Sequence, residues 1–165
     1  MAITKKILII SVLSTLSFSN AQGMFYSNSD EDSNEKSDED KEDSTTDLHI
    51  AVKEDNIEKI KKLLEANVDV NSQTNIRMTP LHWAAATNKD KSVQVLLDAG
   101  GDPRLIDKAL GLTPLDYALG ARYYNIVQIF LTWMQKNLTP EEYEENRSYI
   151  EAVMKKQQQD QKPIA

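Results

Sequence analysis

Sliding the chain against itself aligns three runs, Thr46-Asp47-Leu48-His49, Thr79-Pro80-Leu81-His82 and Thr113-Pro114-Leu115-Asp116, at offsets of 33 and 34 residues. That period constrains the fold more than composition does. A unit of this size cannot bury an apolar face alone, so such units stack into a solenoid in which each touches only its neighbours. The agreement extends past the four residues. Each start leads into a short alanine-bearing helix (IAV, WAAA, YAL), then a polar turn, then IEKIKKLLEA, KSVQVLLDA or YNIVQIFLTW, whose apolar residues fall three and four apart on one stripe. Between units the chain reads ANVDVN (66–71) and AGGDPR (99–104), which puts Asn67 and Gly100 at one repeat position. A left-handed residue closes a helix there, and glycine or asparagine tolerates it.

The TPLH start, the period and the two stripes together resemble the ankyrin repeat over residues 43–137. The resemblance implies an all-α solenoid of stacked helix-turn-helix units, here three: 46–78, 79–112 and 113–137. The end units depart from the pattern. Unit one has Asp47 in place of proline and a polar second helix with Lys59, Lys61 and Lys62; unit three has Asp116 in place of histidine and lacks a closing glycine after Trp133. Terminal units of such arrays are normally atypical, and both departures read as caps. A further helix follows over 138–156, opened by Thr139 as N-cap, Pro140 at the first position and Glu142 as the reciprocal partner. Tyr143, Ile150, Val153 and Met154 share one of its faces; it is expected to cap the last unit, with a partner-binding amphipathic helix as the alternative. A flexible tail is expected from Gln157 through residue 165.

Ahead of the repeats, Lys5 and Lys6, an apolar run over 7–18 and the small-residue end Ser19-Asn20-Ala21 have the three-part form of a secretory signal peptide, residues 1–21. The run is shorter than the roughly 20 apolar residues of a spanning helix and is broken by Ser11, Ser14, Thr15 and Ser17. Cleavage after Ala21 is expected, leaving no membrane anchor, and a bacterial export product in the periplasm or the medium. Residues 22–45 form an acidic linker that is too polar to offset its ordering entropy. Residues 27–47 hold ten Asp/Glu against Lys36 and Lys41, whereas residues 48–165 hold 15 Lys/Arg against 16 Asp/Glu. Most of the net charge of −7 therefore lies outside the repeats, and no clustered basic surface marks nucleic acid as a partner. No glycine between Met24 and Gly100 supplies the turn of an EF-hand, so the acidic run is not a calcium loop. Without a cysteine the chain has neither a disulfide framework nor a thiolate site.

The chain has two histidines, His49 and His82, at one repeat position. By the resemblance, they and Asp116 in the third unit are structural turn residues that brace neighbouring units. No nucleophile, paired carboxylates, phosphate loop or metal-ligand spacing accompanies them, so no catalytic residue, cofactor or metal is expected. Ankyrin repeats bind proteins through their loop tips and the concave face of the first helices. The matching loop positions are Asn75, Ile76 and Met78, then Lys108, Leu110 and Leu112; the helix positions are Lys53 and Glu54, Ala86 and Thr87, Gly120 and Ala121. Ile76, Met78, Leu110 and Leu112 would form one apolar patch floored by Ala86 and Thr87, with Lys108 beside it. Met78 and Leu112 directly precede the TPL runs and could instead pack beneath the loops. Arg77 stands where the family prefers a turn glycine. The implied function is a monomeric, exported, non-catalytic interaction module for a protein partner, with a periplasmic accessory or stabiliser of an enzyme as the alternative.

Overall fold

A computed structural model describes residues 46–160; the expected leader (1–21) and acidic linker (22–45) fall outside the described residues, as do residues 161–165. Among the described residues seven helices follow one another: α1 Asp47–Lys53, α2 Ile57–Glu65, α3 Pro80–Ala86, α4 Asp90–Asp98, α5 Pro114–Gly120, α6 Tyr124–Asn137 and α7 Pro140–Gln159. They pack as three helix pairs, α1 with α2, α3 with α4 and α5 with α6. The first helices stack in one layer, α1 on α3 on α5, and the second helices in another, α2 on α4 on α6.

Local chemistry sets the ends of each pair. Thr79 and Thr113 accept from the third helical N–H, and Pro80 and Pro114 fill the first position, where the missing N–H costs nothing. The turn inside each pair passes through a left-handed residue, Asp55 (φ 54°), Asn88 (φ 59°) and Arg122 (φ 60°). Second helices close the same way at Asn67 (φ 60°) and Gly100 (φ 89°), the position picked out by the repeat alignment. Val68 N–H reaches the Leu63 carbonyl at 3.1 Å and Gly101 N–H the Leu96 carbonyl at 2.8 Å, which satisfies otherwise orphaned acceptors. With no such residue after Trp133, α6 runs on to 14 residues where α2 and α4 have 9.

The core is the same ladder repeated. Leu48, Leu81 and Leu115 are at most 3% exposed, and Ala51, Ala84, Ala85 and Ala118 lie fully buried among the first helices. Alanine lets these short helices approach closely, while Ile60, Val93, Leu96, Ile126 and Phe130 bring the apolar volume from the second helices. Full burial of each such aliphatic side chain is worth about 1.5–3 kcal/mol.

Helix α7 covers the far end, against both α5 and α6, with Ile150 and Val153 buried. The tail expected from Gln157 is corrected here. The helix continues to Gln159, and Gln157 is 1% exposed, its amide donating to the Leu119 carbonyl at 2.7 Å. That carbonyl lies in the last turn of α5 and also accepts from the Arg122 N–H at 3.1 Å, so the Gln157 amide takes its second lone pair and ties α7 to the end of α5.

Candidate interaction surface

The two histidines are consumed by structure. His82 Nδ1 lies 3.1 Å from the Thr79 backbone nitrogen and 2.8 Å from Thr79 Oγ1. A backbone N–H can only donate, so Nδ1 is the acceptor and the ring proton sits on Nε2, which donates to the Leu112 carbonyl at 3.2 Å. His49 repeats this, with Thr46 at Nδ1 and the Met78 carbonyl at 3.0 Å from Nε2. Each imidazole therefore closes its own helix start and holds the loop that leads into the next unit. Burial is the main cause that holds the His82 pKa down at about 4, and the hydrogen bond to Leu112 and the charges of Asp107 and Asp116 only partly oppose it. With both nitrogens occupied, His82 has none free to shuttle protons. Among the described residues no group of three or more His, Asp or Glu could hold a metal ion.

The third unit swaps the chemistry where the neighbour changes. Asp116 Oδ2 accepts from the Thr113 N–H and hydroxyl, both at 2.9 Å, reproducing the histidine's backward contact. Forward of it stands no loop carbonyl but α7, and Tyr149 donates its hydroxyl to Asp116 Oδ1 at 2.7 Å. A donor facing a carbonyl has become an acceptor facing a hydroxyl. Burial, reinforced by the Asp116 charge and this hydrogen bond, pushes the Tyr149 hydroxyl far above its ordinary range.

The loops between units form two fingers. In the first, Thr74 N–H donates to the Met78 carbonyl at 2.9 Å and Met78 N–H to Thr74 Oγ1 at 3.2 Å. In the second, Asp107 takes the place of Thr74: its N–H donates to the Leu112 carbonyl, and its carboxylate accepts from the N–H groups of Leu110 (2.7 Å) and Leu112 (2.9 Å) and from Tyr117 Oη (3.3 Å). Sequence reading passed over Asp107, although the 33-residue offset from Thr74 placed a side chain able to accept a turn N–H in both fingers. The extra residue that makes the second offset 34 lies inside this finger. Arg77 adopts φ 60° just before Met78, as Gly111 (φ 66°) does before Leu112. Its left-handed backbone costs roughly 1–2 kcal/mol that glycine would not incur. Lys108 N–H donates to the Ile76 carbonyl at 2.8 Å, which places the two fingers side by side.

The expected surface divides accordingly. Ile76 (48% exposed) and Leu110 (43%) stand at the paired tips, with Lys108 and Asn75 also exposed and Ile106 (40%) at the second finger's base. Met78, Leu112 and Ala86, expected in the patch, are at most 1% exposed and belong to the core. The reason is the pairing: Met78 and Leu112 form the inner ends of the fingers, where their carbonyls receive the histidines and their side chains point inward. Thr87 is half-buried, its hydroxyl spent on the Trp83 carbonyl at 2.7 Å. At the other helix positions Gly120 is buried, Lys53 and Ala121 are half-buried and Glu54 is exposed.

Comparison with known proteins matches residues 30–140 to the model for ankyrin repeats (3 copies). The chain is 34% identical over 94 residues to a B-cell lymphoma 3 protein homolog of Mus musculus, covering 54% of this chain and 21% of that protein. It is 37% identical over 81 residues to NF-kappa-B inhibitor alpha of Sus scrofa (47% and 26%), and 33% identical over 91 residues to transient receptor potential cation channel subfamily A member 1 of Homo sapiens (54% and 8%). The matched stretch spans about a quarter or less of these relatives' own lengths. With the family model spanning well over half of the chain and the helix pairs, left-handed turns and paired fingers recurring at its period, the chain belongs to the ankyrin-repeat family.

Proposed function

We propose that this chain is an exported, non-catalytic protein-interaction module that acts as a monomer, holding a protein partner against its finger tips and the adjoining face of the first helices. Ankyrin repeats generally mediate protein–protein interaction, and one similar protein is by name an inhibitor of another, NF-kappa-B. The observation that carries the reading is the tip pair. Ile76 and Leu110 are roughly half exposed on neighbouring fingers tied by the Lys108 to Ile76 hydrogen bond, so two large apolar side chains stand in solvent on adjoining loops. Apolar residues that cluster in solvent mark interfaces far better than scattered ones do. Export rests on the form of residues 1–21, and a bacterial source on the same leader in a lysine-, isoleucine- and asparagine-rich chain.

The test compares capture of partners from periplasmic and host-cell extracts by wild type and by the double variant Ile76→Asp, Leu110→Asp. The variant is expected to weaken binding by roughly 2 kcal/mol, about 30-fold, with an unchanged helical circular dichroism spectrum. Unchanged capture by the folded variant would remove the tips from the interface. N-terminal sequencing of exported protein checks the other half, with Gln22 expected first; recovery of Met1 in a membrane fraction would overturn it.

A further inference from the structure

The tips carry charge as well as apolar area. Arg77 and Lys108 are both exposed, one on each finger, while the fingers' one acid, Asp107, is buried with its oxygens turned to backbone N–H groups and the Tyr117 hydroxyl. The surface is thus apolar and cationic within a chain of net charge −7. It suits an acidic strand bearing a few large apolar side chains, and the chain itself contains one. Residues 24–26 are Met-Phe-Tyr, and residues 27–45 hold nine Asp/Glu against Lys36 and Lys41.

The described fold starts beside the same fingers. Thr46, the first described residue, contacts Ser72 Oγ at 3.3 Å, just before the first finger, and His49 binds the finger's inner end at the Met78 carbonyl. In the 33-residue register, residues 41–45 align with the Thr74 to Met78 finger, and this stretch of sequence carries Glu42 and Asp43. A flexible chain of the 19 residues between Tyr26 and Thr46 would span about 25 Å, enough for residues 24–26 to reach Ile76 and Leu110. Exposed ion pairs are individually weak, typically under about 1 kcal/mol. A short tether supplies a millimolar effective concentration, however, so a contact of millimolar affinity is about half formed.

We propose that the acidic segment 24–45 occupies the finger tips of its own chain, so that an outside partner must displace it. This rests on the tips being the binding surface. The absence of cysteine allows one nitroxide label, placed through Ser33→Cys in the full chain. The expected result is loss of amide signal from residues 75–77 and 108–110 with the label oxidised, recovered on its reduction. The loss should also disappear at 1 M salt, where the screening length falls to about 3 Å, and in the variant Arg77→Glu, Lys108→Glu. Should that variant unfold, exchanging seven of the segment's nine acids (Asp30, Glu31, Asp32, Glu39, Asp40, Glu42 and Asp43) for their amides balances its two lysines and leaves the repeats untouched. Tip signals that ignore the label, or lose intensity only through a label on a second chain, overturn the proposal. So does loss that persists after neutralisation. A tip contact in a chain that captures no partner would leave this inference standing and remove the proposed function; partner capture that depends on Ile76 and Leu110 without a tip contact would do the reverse.

Discussion

His82→Gln should make the stability of this protein less sensitive to acid, and the size of the effect follows from the ring's surroundings. The ring is fully buried, and Nδ1 accepts from the Thr79 N–H, so a second ring proton would have to displace that bond inside the core. Protonation in the folded state is deferred to about 4, against 6.5 for the free side chain. Above pH 6.5 the ring is neutral in both states and adds no pH dependence. Below it the unfolded chain binds a proton that the folded chain refuses, so stability falls with a slope of up to about 1.4 kcal/mol per pH unit until the folded pKa is reached. Between pH 7 and pH 5 the loss comes to about 2 kcal/mol, and in full to about 3 kcal/mol below pH 4. Glutamine does not titrate and can still donate toward the Leu112 carbonyl, so at pH 7 it should cost about 1–3 kcal/mol for the imperfect replacement. That deficit should shrink by about 2 kcal/mol at pH 5. Urea unfolding of both proteins by circular dichroism at pH 7, 6 and 5 measures the difference, in which other titrating groups cancel to first order. A deficit that stays constant, or grows, as pH falls would show that the ring is not held neutral by burial, and the brace described here would be wrong.

Other perturbations test the remaining parts of the stack. Tyr149→Phe removes the donor to Asp116 Oδ1 and should lower stability by about 2 kcal/mol in urea melts; no change would mean that α7 is not fastened through this bond. Leu96→Asp places an unpaired charge at a fully buried position and should leave the protein without cooperative unfolding, since several kcal/mol is a large share of a domain's total. Arg77→Gly relieves the left-handed backbone at φ 60° and should gain about 0.5 kcal/mol after glycine's larger unfolded-state entropy is subtracted; a loss would show that the Arg77 side chain itself supports the finger.

What the sequence determined by itself is whatever repeats locally. The 33-residue spacing of TPLH-like starts fixed the helix pairs, because capping threonines, N1 prolines and left-handed Asn67 and Gly100 act within a few residues of their own position. The role of His82 was legible for the same reason, since a brace used twice one period apart is a property of the unit. The tertiary structure alone decided which finger residues face water. Ile76, Met78, Leu110 and Leu112 are all large and apolar in one short loop type, and composition does not separate them. The histidine contacts to the Met78 and Leu112 carbonyls do, by drawing the inner end of each finger into the core and leaving Ile76 and Leu110 at the tips. The far cap was expected, but the polar contacts that fasten it were hidden for a related reason. Tyr149 and Gln157 meet Asp116 and Leu119 across 33 and 38 residues, between a repeat and a helix without a TPLH-like start, and neither contact has a counterpart elsewhere in the stack to reveal it. Periodicity reports only contacts that recur, whereas the end of a stack is held by contacts made once.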